Sequence, residues 1–287
     1  MDLILITNDV TRASIAQAAG VDRVMIDLEV IGKDARQGHL NTVISRHTFA
    51  DLDRVREVLK STELLVRINP LHPGSREEID RSVVAGARTI MLPMFTRVAE
   101  VRRFVELVDG RARTSLLLET PQAFVRADDV LDVPNIDEVH IGLNDLHLGM
   151  GLTFMFELLS HGIVDQLAAQ LTRRNIKFGF GGVARIGGGP LSARLVLSEH
   201  VRLGSSQVIL SRDFHKVFDE AGSTASEQFI AEIGRLRSHL AELKQCAAAQ
   251  LTVNAQEVRR VVSELVESKV PLALDGGDGG VSRRGQG

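Results

Sequence analysis

Glu119, closing "LLLE", and Asp145, within "IGLNDLHLGMG", are the two carboxylates whose setting first suggests chemistry. Each follows a short apolar run of the kind that forms a buried strand. Neighbouring strands lie about 4.8 Å apart, so carboxylates at adjacent strand ends can reach one cation. A hard ion such as Mg²⁺ takes one or two protein carboxylates and leaves its other positions to water and substrate. The competing structural roles are a helix N-cap for Asp145 and a salt bridge for Glu119. Arg67, in "VRIN", carries a guanidinium suited to a carboxylate or a developing oxyanion. It can equally pair with Asp27 or Glu29 of "IDLE", and the two roles are compatible. Arg185, in "FGFGGVARIGGG", is the group of that segment most able to meet an anion. The glycines around it favour a lid over a phosphate-binding loop. His39, on the stretch after "IDLE", is a candidate general base. His140 is expected to pack or to face a helix. Gly142 and Asn144 are expected to contact substrate, the glycine by letting the backbone come close. Zinc-type spacings and a G-x-S-x-G elbow are absent, and the single cysteine, Cys246, falls in a C-terminal helical stretch.

These residues need elements to converge them. Eight apolar, β-branched runs recur along the chain, at Leu3–Thr7, Arg23–Asp27, Glu63–Arg67, Arg88–Leu92, Thr114–Glu119, Glu138–Ile141, Lys177–Phe180 and Gln207–Leu210. They are continuous rather than alternating, as parallel strands buried on both faces require. Amphipathic segments separate them, several ending in a glycine such as Gly20, Gly86 or Gly204. Eight β-α repeats predict an α/β fold, a (β/α)8 TIM barrel with extra C-terminal helices. A doubly wound sheet is the rival, but no G-x-G-x-x-G follows the first run. Helical patterns at roughly 224–250 and 255–268 follow the eighth run. The expected organisation is a catalytic barrel over 1–250, a helical extension over 251–270 and a disordered Gly-rich tail over 271–287. In such a barrel the functional groups gather at the C-terminal ends of the strands. The strand ends here offer Asn8, Asp9, Asp27, Glu29, Arg67, Asn69, Pro93, Glu119, Asn144, Asp145, Arg185, Ser211 and Arg212, whereas the strand middles read as almost purely apolar. Charge is thus expected at one end of the barrel.

Composition narrows the partners. The 287 residues are 44% hydrophobic and 25% charged, as expected for a soluble globular protein with a sizeable core. A net charge of -3 leaves no basic footprint for nucleic acid. Trp and Tyr are both absent, which removes the usual stacking platforms. No segment approaches the roughly 20 apolar residues of a membrane span, and the first residues lack the features of a signal peptide. One cysteine excludes an intrachain disulfide and fits a reducing compartment, so a cytoplasmic location is expected.

"IDLE" at 26–29, "VRIN" at 66–69, "GARTIMLPM" at 86–94, "LLLET" at 116–120 and "IGLNDLHLGMG" at 141–151 occur in this order. Together they resemble the HpcH/HpaI aldolase and citrate lyase β-subunit family over roughly residues 3 to 215. The resemblance implies a class II, divalent-metal-dependent carbon–carbon lyase of the aldolase type. It would act on a 4-hydroxy-2-oxo acid through a pyruvate-like enolate, with Glu119 and Asp145 as ligands of Mg²⁺ or Mn²⁺ and Arg67 on the substrate. Asp27 and Glu29 match the acidic pair of the citrate-lyase-like branch, whereas "LPM" matches the oxo-acid aldolase branch. That aldolase branch has a histidine directly after the glutamate of the second strand; here the position is Val30, with His39 displaced along the loop. Two alternatives follow: an acyl-CoA lyase or thioesterase of the citryl-CoA or malyl-CoA type, and a non-catalytic oxo-acid-binding barrel. The family also implies a homo-oligomer, trimer or hexamer, and the last helix is expected to pack on the barrel or on a neighbouring subunit.

Overall fold

A computed structural model describes residues 1–32 and 47–269. Eight parallel strands close into a barrel in sequence order: β1 (Asp2–Ile6), β2 (Arg23–Asp27), β3 (Glu63–Arg67), β4 (Thr89–Leu92), β5 (Arg113–Leu118), β6 (Glu138–Ile141), β7 (Lys177–Val183) and β8 (Gln207–Leu210). Around and above them run α1 (Val10–Ala18), α2 (Phe49–Val58), α3 (Ser75–Val84), α4 (Val98–Val108), α5 (Pro121–Val125), α6 (Ala127–Leu131) and α7 (Leu143–Gly149). They continue with α8 (Glu157–Ser160), α9 (Ile163–Arg173), α10 (Ala193–Leu203), α11 (Arg212–Glu220), α12 (Ala225–Gln245) and α13 (Ala248–Glu267). The (β/α)8 barrel with extra C-terminal helices is as expected. No helix among the described residues is long and apolar enough to cross a membrane.

The strands alternate between two cores. Leu3, Leu5, Val24, Ile26, Val66, Ile90, Leu116, Val139 and Phe180 point outward and are covered by the helices. Ile4, Met25, Leu65, Met91 and Leu117 form a separate cluster inside the barrel, with Ile6 and Ile209 packed on it. Continuous apolar runs are therefore a consequence of burial on both faces. Local signals set the helix ends. Asp9 caps α1 by accepting the Arg12 amide at 2.8 Å, and Thr48 with Asp51 forms a capping box on α2. Gly204 ends α10 at φ +77°, a conformation that costs a side-chain-bearing residue about 1 kcal/mol.

Charge is not confined to one end. Beneath the inner apolar layer, at the N-terminal ends of the strands, the Arg23 side chain is 5% exposed. Its Nη1 donates to both Glu138 oxygens at 2.7 and 2.8 Å and to Gln207 at 3.0 Å, and its Nη2 lies 2.9 Å from Asp2. These residues begin their strands, where a barrel interior still needs filling but lies close to water. The plug pairs each buried charge with an opposite one, as burial demands. His140 packs, as expected, but alternation places it with Glu138 inside the barrel rather than against a helix. Its Nε2 donates to the Gly181 carbonyl at 2.9 Å.

After β8, α11 sits at the mouth and α12 completes the outer layer, burying Phe229, Ile233, Leu236, Leu240 and Leu243. The extra helix α13 packs on α10 and α8 of its own chain, burying Val258 and Val262 and donating from Asn254 to Ser198 at 2.9 Å. It begins at Ala248, so the junction falls slightly before residue 251. The Gly-rich segment at 271–287 lies outside the described residues.

Candidate active site

Register brings the first two groups together. Asp27 and Arg67 are the last residues of β2 and β3 and are paired partners across the ladder, both side chains pointing inward. Arg67 Nε donates to Asp27 Oδ1 at 2.8 Å and Nη2 to Oδ2 at 2.7 Å, a bidentate fork that fixes the guanidinium plane. Glu29, two residues beyond Asp27, places Oε2 3.5 Å from Arg67 Nε, and its amide donates to Asp27 Oδ1 at 3.2 Å. Both carboxylates are buried, at 1% and 2% exposure.

Glu119 follows β5 directly and is 4% exposed. Its Oε1 accepts the Met94 amide at 3.2 Å. Met94 holds φ at +52°, an uncommon conformation for a residue with a side chain. The turn "LPM" after β4 thus turns a backbone donor toward the carboxylate. Asp145 is partly exposed in the first turn of α7, which starts immediately after β6. Gly142, the N-cap of α7, supplies space: a Cβ there would lie 2.6 Å from Glu119 Cβ and 2.9 Å from Glu119 Oε2. The carboxylate of Glu119 lies where any side chain at 142 would need to be.

Electrostatics ties the groups into one site. Burial opposes the charge on Arg67, but Asp27, then Glu29 and Glu119, outweigh it and hold its pKa well above the ordinary value. Burial pushes the Glu119 pKa well above the carboxylate range; Arg67 opposes the rise, whereas Asp145 and Glu29 add to it. Four carboxylates (Asp27, Glu29, Glu119 and Asp145) gather around the guanidinium of Arg67. An added divalent cation would relieve that imbalance. Among the described residues no group of three or more His, Cys, Asp or Glu is placed to hold a metal. Two carboxylates with open positions suit a hard ion that keeps water and substrate oxygens as ligands.

The other expected site residues divide. Asn144 is exposed on the first turn of α7, beside Asp145. Arg185 is paired: its Nε and backbone amide meet Asp213 Oδ2 at 3.1 and 3.2 Å, and Nη2 meets Oδ1 at 3.3 Å. His39 lies outside the described residues. The expected lid is shortened, because residues 178–183 belong to β7. Gly179 is needed there for close packing, since a Cβ would come 2.3 Å from the Gln207 carbonyl oxygen. His147 is buried and donates Nδ1–H to the Leu143 carbonyl at 3.2 Å, one turn earlier in α7. His47 was not singled out by spacing, yet its Nδ1 accepts the Asp27 amide at 3.0 Å, placing the ring at the end of β2. Met94 and His47 join the mouth through backbone bonds, which residue type does not advertise. A groove of about 1280 Å³ lies at the opposite face, lined by Arg88, Arg113 and Asp137 among others, and holds none of these groups. Chemistry follows the convergent charges at the strands' C-terminal ends rather than this groove.

Comparison with known proteins agrees with this fold. The HpcH/HpaI aldolase from Desulfitobacterium hafniense DCB-2 superposes with a TM-score of 0.59 at 17% identity, covering 79% of this chain and 93% of that one. An HpcH/HpaI aldolase/citrate lyase family protein from Burkholderia cenocepacia J2315 gives 0.59 at 14% identity, with coverage of 79% and 93%. Protein CitE from Mycobacterium tuberculosis, in complex with magnesium and pyruvate, gives 0.58 at 15% identity, with coverage of 90% and 97%. At these identities the likeness speaks for the fold. No curated protein matches the sequence. The HpcH/HpaI aldolase/citrate lyase profile matches residues 3–157, more than half of the chain, across β1 to α8 and through Asp27, Arg67, Glu119 and Asp145. The chain therefore belongs to the HpcH/HpaI aldolase/citrate lyase family, a family of lyases.

Proposed function

We propose that the protein is a class II, metal-dependent aldolase that cleaves or forms a 4-hydroxy-2-oxo acid through a pyruvate-like enolate. The observation that carries this reading is the convergence of Glu119 and Asp145 on a mouth where Arg67 is already locked by Asp27. Glu119 and Asp145 would hold Mg²⁺ or Mn²⁺, which when bound supplies Lewis-acid stabilisation of the negative charge developing on the substrate. The structural likeness to CitE solved with magnesium and pyruvate supports this choice of ion and fragment.

The chain's own groups do the rest. In the cleavage direction the C3–C4 bond of the substrate breaks, its electron pair passes into the C2 carbonyl, and the C4 hydroxyl loses a proton to become an aldehyde. Arg67 places fixed positive charge beside the oxygen that gains electrons. Because Asp27 pins both ends of its fork, little reorganisation accompanies the step. Glu29 adds negative charge 3.5 Å from the same Nε. Gly142 and Asn144, at the start of α7, and Arg185, across the mouth, bind the remainder of the substrate. His39 stands as the base for the hydroxyl proton. His47 is less suited to that role, because its Nδ1 lone pair is engaged by the Asp27 amide; it acts as a donor through Nε2.

The test is a substrate panel with Mg²⁺: 4-hydroxy-2-oxo acids, then malyl-CoA and citryl-CoA, with pyruvate, aldehyde and free CoA measured. Pyruvate release from the oxo acids supports the proposal. Turnover of CoA esters alone would move the protein to the acyl-CoA lyase or thioesterase branch, and binding without turnover to a non-catalytic barrel. Assembly as a trimer or hexamer is checked by light scattering.

A further inference from the structure

The end of β3 continues past Arg67 into Asn69, which is 9% exposed and hydrogen-bonds through its side-chain oxygen, its side-chain nitrogen and its backbone amide at once. Its Oδ1 accepts the backbone amides of Val30 at 2.8 Å and Ile31 at 3.0 Å, on the segment leaving β2. Its Nδ2 donates to Glu78 Oε1 at 2.8 Å, and its own amide lies 3.2 and 3.3 Å from the two Glu78 oxygens. The orientation of the side-chain amide follows from its partners, because two N–H donors and a carboxylate can be satisfied in only one way. Glu78, on α3 and 7% exposed, is held in turn by His72 Nε2 at 3.2 Å. The Gly74 amide donates to His72 Nδ1 at 3.2 Å, so the neutral ring carries its proton on Nε2, facing Glu78.

The hydrogen bonds thus converge on Glu78 as the terminal acceptor, one arm coming from the α3 entry through His72 and the other from the chain directly after Glu29 through Asn69. Glu29 has Val30 as its neighbour, and its carboxylate lies 3.5 Å from Arg67 Nε. Val30 and Ile31 are 50% and 45% exposed, so side-chain burial does little to hold this segment in place. Asn69 fixes it through the backbone.

We infer that Asn69, braced by Glu78 and His72, is a positioning residue that sets the segment leaving β2 and thereby the place of Glu29 beside Arg67. It touches neither substrate nor metal. The inference rests on the aldolase reading for its effect on turnover, but its structural half is independent of that reading.

The experiment swaps donor and acceptor. Asn69→Asp keeps the acceptor for the two amides but sets a second carboxylate against Glu78. Asn69→Asp combined with Glu78→Gln returns a donor to that contact and restores the pattern. Hydrogen exchange at the Val30 and Ile31 amides, kcat, KM and melting temperature are measured for wild type, Asn69→Asp and the double variant. Exchange at both amides is expected to rise about tenfold or more in Asn69→Asp, because repulsion from Glu78 turns the new carboxylate away from them and weakens both hydrogen bonds. With it kcat falls about tenfold or more at little change in KM, and the double variant recovers most of both. Unchanged exchange in Asn69→Asp, or faster exchange with unchanged kcat, would overturn the inference. So would a double variant that folds with the wild-type melting temperature but shows no recovery. If wild type turns over no oxo acid, the functional reading fails by itself, and the exchange rates alone support or overturn the device.

Discussion

Replacing Gly142 by alanine adds one methyl group at the point where Glu119 and the start of α7 meet. The new Cβ would stand 2.6 Å from Glu119 Cβ and 2.9 Å from Oε2. Carbon atoms rest at about 3.5–4.0 Å, so Glu119 must retreat by about 1 Å. The neighbour that must yield includes its Cβ, which is fixed to the backbone, and its Oε1 is tethered by the Met94 amide. The backbone at 142, with φ −80° and ψ 86°, is not in the left-handed region, so the effect is steric rather than conformational. Overpacking of this kind costs about 1–3 kcal/mol of stability. An error of about 1 Å in a positioned group can cost about 10²-fold in rate. Gly142→Ala should therefore melt a few degrees lower, bind Mn²⁺ at least about tenfold more weakly in a calorimetric titration, and lose about 10²-fold in kcat with Mg²⁺ saturating. Gly234→Ala on α12 is the control: no atom lies within 4 Å of its added Cβ, and it should gain up to about 1 kcal/mol with activity unchanged. A Gly142→Ala protein with wild-type Mn²⁺ affinity and kcat would refute the role given to this contact.

Further outcomes follow from the same geometry. Arg67→Lys cannot reproduce the fork on Asp27; kcat/KM should fall about 10²- to 10³-fold in a pyruvate-release assay, and loss of the buried pair should lower the unfolding free energy by a few kcal/mol in urea. His140 is buried and neutral, its pKa lowered to about 4 chiefly by burial. Its unfolded counterpart titrates near 6.5, so between about pH 6.5 and 4 the unfolded chain binds the extra proton. Stability is complete above that window, is lost as the pH falls through it, and changes no further from this group below it. The loss is about 3 kcal/mol. Urea titrations at pH 7 and pH 4.5 should show a smaller difference in His140→Gln than in wild type; equal differences would contradict the assignment.

The barrel was legible because its strands are buried on both faces and therefore read as uninterrupted apolar runs. β2, β3, β6 and β8 begin and end where those runs do. β7 extends further, to Val183, because a glycine stretch that reads as a loop is in fact demanded by close packing on β8. The carboxylates and Arg67 were visible as charges ending apolar runs, and ladder register then brought Asp27 onto Arg67. Two features could not be read. The Arg23–Glu138 plug joins residues 115 positions apart through barrel closure, and local pattern carries no trace of closure. Asn69 and Met94 act through hydrogen bonds to or from the backbone, which depend on where turns aim their amides rather than on residue type. Gly142 was placed in the site for closeness to substrate, whereas its contact in the structure is with Glu119.

The central claim is that Glu119 and Asp145 hold one catalytic divalent ion. The most direct measurement is pyruvate release from a 4-hydroxy-2-oxo acid by chelator-treated protein, with and without added Mg²⁺, in wild type and in Asp145→Ala. Wild type should be inactive after chelation and recover on adding Mg²⁺. Asp145→Ala, with an unaltered melting profile because its side chain is partly exposed, should stay inactive in both conditions. Turnover that survives chelation, or an Asp145→Ala protein that works as well as wild type, would contradict the account.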